Sequence, residues 1–211
     1  MKKPTNKKKL EDRKLELIEV AIKLIGTIAL TDLSLETVGK KCGMRRSHVA
    51  YYFKDIDELV QASILHVITY SQKVVTEFLA EANDADEKIR ALVFGYGETF
   101  LKKPTYGRVF ALLNFYGTYQ PVYKKICTEI TDVAEQRIAA ILAARMKLKT
   151  SLIPENIKSA ARHLRSTLLG RLLIVLTYEK PVDYDEEMAK ITEYAIKICK
   201  TFSLVNRADA S

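Results

Sequence analysis

The run Met44-Arg45-Arg46-Ser47-His48-Val49-Ala50-Tyr51-Tyr52-Phe53-Lys54 holds the densest set of side chains able to do chemistry. That chemistry is recognition rather than bond cleavage. Arginine presents a planar fork that fits guanine O6 and N7, while serine and histidine serve bases or phosphates. Arg45, Arg46, Ser47 and His48 crowd the first turn of a short predicted helix, where a recognition helix reaches base edges. Tyr51, Tyr52 and Lys54 follow at the far end, in reach of a phosphate backbone, with one tyrosine expected to pack inward. The competing reading is a helical corner of some other all-α protein whose arginines are merely solvated.

No set of residues points to catalysis. The chain has no GxSxG, HExxH, Walker or Rossmann motif. Gly95-Tyr96-Gly97 lacks the third glycine and the preceding strand of a phosphate loop, so close helix packing or room beside a ligand explains it better. Cys42, Cys127 and Cys199 are scattered without CxxC spacing, which fits reduced thiols and neither a disulfide frame nor a zinc site. No enzyme activity, cofactor or metal is expected.

Charge is placed unevenly. Residues 1–54 hold 13 Lys or Arg against 6 Asp or Glu, and the remaining 157 hold 21 against 20. Nearly all of the net charge of +8 therefore lies in the first quarter. Such asymmetry suits a polyanion, nucleic acid first and anionic membrane second. Lys2, Lys3, Lys7, Lys8 and Lys9 could instead form a solvated tail. No apolar run nears the roughly 20 residues of a membrane span, and the Lys-rich start lacks the apolar core of a signal peptide. A cytoplasmic protein without a membrane partner is expected.

The elements that must position these residues read as helices throughout. Leu17, Ala21, Leu24 and Ile28 stripe a first helix over about 10–28. Ser34 can cap a short helix carrying Leu35 and Val38 and leave its N–H groups toward a phosphate. Gly43 supplies the bend, and a second short helix runs over about 45–52. Asp55 and Glu58 form a capping box for a long helix to about Ala82, with further helices over 85–102, 105–118 and 121–148. The fold class is all-α with about nine helices: a helix-turn-helix domain over 1–54 and a larger helical body over 55–211.

Two seams mark the C-terminal end. Ile157, Ala161, Leu164, Leu168, Leu172 and Val175 recur in threes and fours, as do Met188, Ile191, Ala195, Ile198, Phe202 and Val205. Helices over 154–178 and 184–205 so patterned form an antiparallel hairpin suited to pair with its own copy in a homodimer. Both seams could equally pack inward in one subunit. The middle of the chain is aromatic, with Tyr96, Phe100, Phe110 and Tyr123 among others, and an apolar pocket there is expected. His66, Tyr70, His163 and Thr167 border the stripes and read as buried, hydrogen-bonded structural residues or as pocket residues. His163 or Asn114, which lies among the aromatics, is expected to orient a mostly apolar or aromatic ligand.

Residues 13–65 resemble the N-terminal domain of TetR-type (tetracycline-repressor-like) regulators. The likeness runs through the amphipathic first helix, Ser34-Leu35-Glu36-Thr37-Val38, Cys42-Gly43-Met44, Val49 to Lys54, and Asp57-Glu58-Leu59. It departs at Arg45, where a capping serine is usual; at Ala50, often a DNA-holding tyrosine; and at Ile56, commonly a phosphate-touching lysine. The resemblance implies a dimer that sets two recognition helices in successive major grooves of a palindromic operator. It implies as well a small-molecule effector that shifts the helix starting at Asp55 and releases the DNA. Two rivals remain: a helical enzyme or lipid-binding protein with a basic membrane-facing N-terminus, and an architectural DNA-binding protein without effector.

Overall fold

The computed structural model describes residues 6–148 and 153–208, with the side chains of 6, 7, 30 and 202–208 outside that description. Lys2, Lys3 and the Lys7, Phe202 and Val205 side chains of the sequence reading therefore lie outside the described residues. Among the described residues the chain is all-α: α1 (Asn6–Ile25), α2 (Leu35–Lys41), α3 (Arg46–Ala50), α4 (Ile56–Ala80), α5 (Ala85–Phe100), α6 (Pro104–Gly117), α7 (Pro121–Arg145), α8 (Glu155–Val175) and α9 (Tyr184–Ala208). A 3-10 turn, Leu30–Asp32, precedes α2.

The helix starts follow their caps. Ser34 Oγ accepts from the Thr37 N–H at 3.1 Å. Asp55 Oδ1 accepts from the Glu58 N–H at 2.9 Å, and Asp84 and Asp183 act likewise toward Glu87 and Glu186 at 2.8 Å. Glu58 reaches back one residue further than a standard box, accepting from the Lys54 N–H at 2.6 Å. Arg45 stands at the cap of α3 and gives no side-chain bond to it, as its replacement of a serine predicts. Several ends differ from the periodicity by a few residues, those of α1 and α3 for visible reasons. α1 stops at Ile25 rather than Ile28, because Gly26 interrupts it and Thr27 turns back onto the Leu24 and Lys23 carbonyls. α3 stops at Ala50, with Tyr51 and Tyr52 in the turn that follows.

Leu17, Ala21, Ile22, Leu35, Val38, Val49 and Phe53 form the core of the first three helices, and Leu59 and Val60 of α4 join it. Two glycines shape the α2–α3 corner. Gly43 takes φ +65°, a left-handed conformation that favours glycine. At Gly39 a Cβ would lie 2.7 Å from the Met44 carbonyl oxygen, so only glycine lets the two short helices approach this closely.

α4 runs on into the body, where it packs chiefly on α5 and also on α6. Gly95 permits that closeness, since a Cβ there would sit 2.9 Å from Val75 Cα. Helix packing therefore explains Gly95, and Gly97 faces Met188 of α9 in the same way. α8 and α9 form the expected hairpin, with α8 on α7 and α9 on α5. Its seams are turned inward: Ile157, Ala161, Leu164, Leu168, Leu172, Met188, Ile191 and Ala195 are all buried in the single subunit. Arg171 clamps the hairpin, with Nε and Nη2 donating to the Glu187 carboxylate at 2.6 and 2.9 Å.

Candidate nucleic-acid interface and ligand cavity

α3 is held from beneath by Val49, which is fully buried, and by Phe53 just after it. Everything else on the helix faces out. Arg45, Arg46, Ser47 and His48 are exposed side by side, and Lys54 is exposed beyond them. The tyrosines divide: Tyr51 is 75% exposed, whereas Tyr52 is half-buried against the core and meets the Tyr51 ring edge-on at 5.2 Å. Ser34 is half-buried, and its hydroxyl is engaged with Thr37 as the α2 cap. Of the nearby acids, Glu36 pairs with Lys40 at 2.7 Å, and that lysine holds its carboxyl below the usual range. The result is a basic, hydrogen-bonding ridge with one exposed aromatic ring.

In the body, the walls of a small cavity come from α4 (Val67, Ile68, Ser71, Gln72), α5 and α6 (Tyr96, Phe100, Phe110), α7 (Ile130, Ala134) and α8 (Arg165, Leu169). Tyr96, Phe100 and Phe110 were expected there and are brought together: Tyr96 stacks on Phe100, and Phe100 lies 4.9 Å from Phe110. The other candidates are elsewhere. Asn114 is exposed and donates to the Phe110 carbonyl of its own helix at 2.8 Å. His163 is exposed, with Nδ1 2.8 Å from the Ser159 carbonyl. Thr167 is exposed beside a surface groove between α8 and α9. Tyr123 is buried but packs on Tyr116, at the α6–α7 end.

His66 and Tyr70 fall at a third place, the junction between the first helices and the body. His66 Nε2 lies 3.1 Å from Glu19 of α1 and 3.3 Å from the Tyr106 hydroxyl of α6. Tyr70 meets Tyr106 edge-on, under the Lys103 ammonium at 3.9 Å. Sequence reasoning missed Arg165, Gln72 and the nearby Arg137. The available signal was a charge beside buried positions: Arg165 follows Leu164, and Arg137 lies between Ala134 and Ile138.

Among the described residues no group of three or more His, Cys, Asp or Glu side chains could hold a metal, and no helix is long and apolar enough to cross a membrane. No protein-family model matches the chain. It is 32% identical over 84 residues to the HTH-type transcriptional regulator BetI of Stenotrophomonas maltophilia, a match spanning 39% of this chain and 43% of that regulator. To BetI of Proteus mirabilis it is 23% identical over 184 residues, 86% of this chain and 89% of the relative. Among solved structures, a transcriptional regulator of Saccharomonospora viridis in complex with choline superposes with TM-score 0.73 at 16% identity, covering 87% of this chain and 95% of that one. A TetR/AcrR-family regulator of Thermobifida fusca gives 0.62 at 17% identity, covering 87% and 96%. By sequence and by fold, the chain is similar to the helix-turn-helix transcriptional regulators of the TetR/AcrR type.

Proposed function

We propose that the chain is a DNA-binding transcriptional regulator, not an enzyme, that grips a palindromic operator as a homodimer and is released by a small molecule. The observation that carries this reading is the exposed Arg45-Arg46-Ser47-His48 turn, raised on a helix-turn-helix whose other face is fully buried. Arg45, Arg46, Ser47 and His48 enter the major groove, while Tyr51 and Lys54 meet the flanking phosphates. Tyr52 supports Tyr51, and Ser34 holds the start of α2 in place. The basic ridge and its single exposed ring suit a duplex better than insertion into a membrane. A DNA partner places the protein in the bacterial cytoplasm, at the nucleoid.

Residues 1–54 act as the DNA-binding unit and 55–211 as the sensing and dimerising unit, with α4 common to both. α4 places Leu59 and Val60 in the first core and Val67 and Ile68 in the cavity wall. Leu59 and Ile68 are separated along the helix by about 14 Å, at about 1.5 Å per residue. A ligand that wedges α4 away from α8 therefore moves the ridge. Release requires only that the ligand favour the shifted state. The choline complex of the Saccharomonospora viridis neighbour supports a small-molecule site in this fold. The homodimer forms on the outer side of the hairpin, where Ile174 and Tyr194 are exposed beside the α8–α9 groove. Half-sites about 34–36 Å apart, or a multiple, follow from successive grooves.

Fluorescence anisotropy against DNA from upstream of the chain's own gene, at graded salt and beside a scrambled duplex, tests the reading. Selective, salt-sensitive binding that Arg46→Ala weakens is expected. Equal weak binding to both duplexes, followed by a genomic-fragment screen with no preferred site, would overturn it.

A further inference from the structure

Two guanidinium groups lie in or just behind the wall of the body cavity, and only one of them, Arg165, has a carboxylate as near as 4.0 Å. Arg165 is in the cavity wall, and its side chain is only 15% exposed. Its Nη2 donates to Thr131 Oγ1 at 2.8 Å, its nearest carboxylate is Glu135 at 4.0 Å, and its Nε is buried without a hydrogen-bond partner. Arg137 donates Nη2 to Gln72 Oε1 of the same wall at 2.8 Å and lies against the Tyr96 hydroxyl, while its buried Nη1 makes no well-formed hydrogen bond. Among the described residues no carboxylate lies within 4.0 Å of Arg137. Tyr96, also in the wall, lies in the field of both cations, which oppose the upward push of burial on its hydroxyl.

A buried cation is costly unless it is paired and its N–H groups are used. Besides Thr192 Oγ1, the buried side-chain polar atoms without a partner among the described residues are these guanidinium donors. Buried orphaned donors call for a partner that the chain does not supply. A carboxylate matches the guanidinium fork in shape and charge and can accept from two N–H groups at once. A quaternary ammonium would meet repulsion. Most of the remaining wall, Val67, Ile68, Phe100, Phe110 and Leu169, is apolar, with the Ser71 hydroxyl as a further polar group.

We infer that the ligand of this cavity is an amphiphilic carboxylate, its head group on Arg165 and Arg137 and its apolar chain or ring among the aromatic side chains of α5 and α6. The inference rests on the proposed ligand-responsive reading only for its consequence, not for the binding itself. The cavity measures about 30 Å³ in this state, enough for a water molecule or two. An organic acid must therefore part α4 from α8, and Gln72 on α4 is drawn along through Arg137.

Isothermal titration calorimetry of the full chain without DNA tests this, with decanoate and benzoate as carboxylates and decan-1-ol and choline as uncharged and cationic controls. At least one carboxylate is expected to bind, decan-1-ol at least tenfold more weakly than decanoate, and choline not at all. Arg165→Met should weaken the carboxylate tenfold or more, and Arg165→Lys less. Ala134→Leu, which fills the cavity and leaves both arginines, should abolish binding and so guards against a merely misfolded arginine variant. The inference is overturned if neither carboxylate binds, if decan-1-ol matches decanoate, or if Arg165→Met binds unchanged. Anisotropy with the preferred duplex then separates the two readings: a carboxylate that binds but leaves DNA affinity untouched upholds the ligand class and removes the release mechanism.

Discussion

The Tyr106 hydroxyl of α6 donates to the Glu19 carboxylate of α1 at 3.0 Å, tying the first helices to the body. Burial first, and then this bond to a carboxylate, pushes the Tyr106 hydroxyl well above its ordinary pKa. His66 of α4 touches both partners, so three helices meet at one polar point. Arg108 adds a second tie just past the end of α1, donating to the Gly26 carbonyl at 2.8 Å.

Tyr106→Phe removes the hydroxyl and keeps the ring packing, leaving Glu19 with His66. A loss of about 1–2 kcal/mol is expected, in the range of a hydrogen bond to a charged group discounted for the half-exposed carboxylate. Urea denaturation measures it. If the junction transmits the ligand signal, the same variant also narrows the difference in DNA affinity with and without ligand.

The ridge residues separate by what they read. Arg46→Ala is expected to cost about 1–3 kcal/mol on the preferred duplex and to relax selectivity. Lys54→Ala should weaken all sequences alike and lower the salt slope by about 1. Salt titrations of both variants on preferred and scrambled duplexes decide this, and a Lys54→Ala protein with altered selectivity would contradict the assignment.

What was legible in the sequence is local. Caps at Ser34 and Asp55, the Gly43 bend and the outward set on α3 depend on residues within a turn or two of one another. Periodicity likewise shows which side of a helix is buried. It does not show which helices meet there, and this is where the pocket reading diverged from the fold. Asn114 and His163 lie near apolar positions but face solvent, while Arg165 of α8 lines the cavity and Arg137 of α7 bonds Gln72 in its wall. Periodicity leaves the hairpin seams open to a second copy because it shows neither that the preceding helix α7 packs on α8 nor that α5, distant in sequence, covers α9.

Arg171 and Glu187 hold that hairpin in register. The Glu187 side chain is only 5% exposed and Arg171 39%, so removing the arginine strands a buried carboxylate. Arg171→Met should destabilise by about 1–3 kcal/mol, less than for a fully buried pair because the guanidinium is partly solvated. Replacing both residues by methionine should recover most of the loss. Since Arg171 also borders the α8–α9 groove, sedimentation of the double variant reports whether a dimer forms there without the ion pair.

Tyr123 sets an alkaline limit on stability. Burial, with Asp57 as the next contributor, pushes its hydroxyl up to about 12, against about 10 in an unfolded chain. Between those values the folded state holds the proton that the unfolded state has released. The stabilisation is thus complete below about pH 10 and is lost as pH rises toward 12. Tyr106 and Tyr184 are shifted in the same direction and add to the fall. Tyr123→Phe keeps the ring against Tyr116 and removes the titrating group. Urea denaturation at pH 9 and pH 11 should show the wild-type chain losing more stability than Tyr123→Phe over that interval. Equal losses would mean that Tyr123 ionises without a folding penalty, which its burial does not allow.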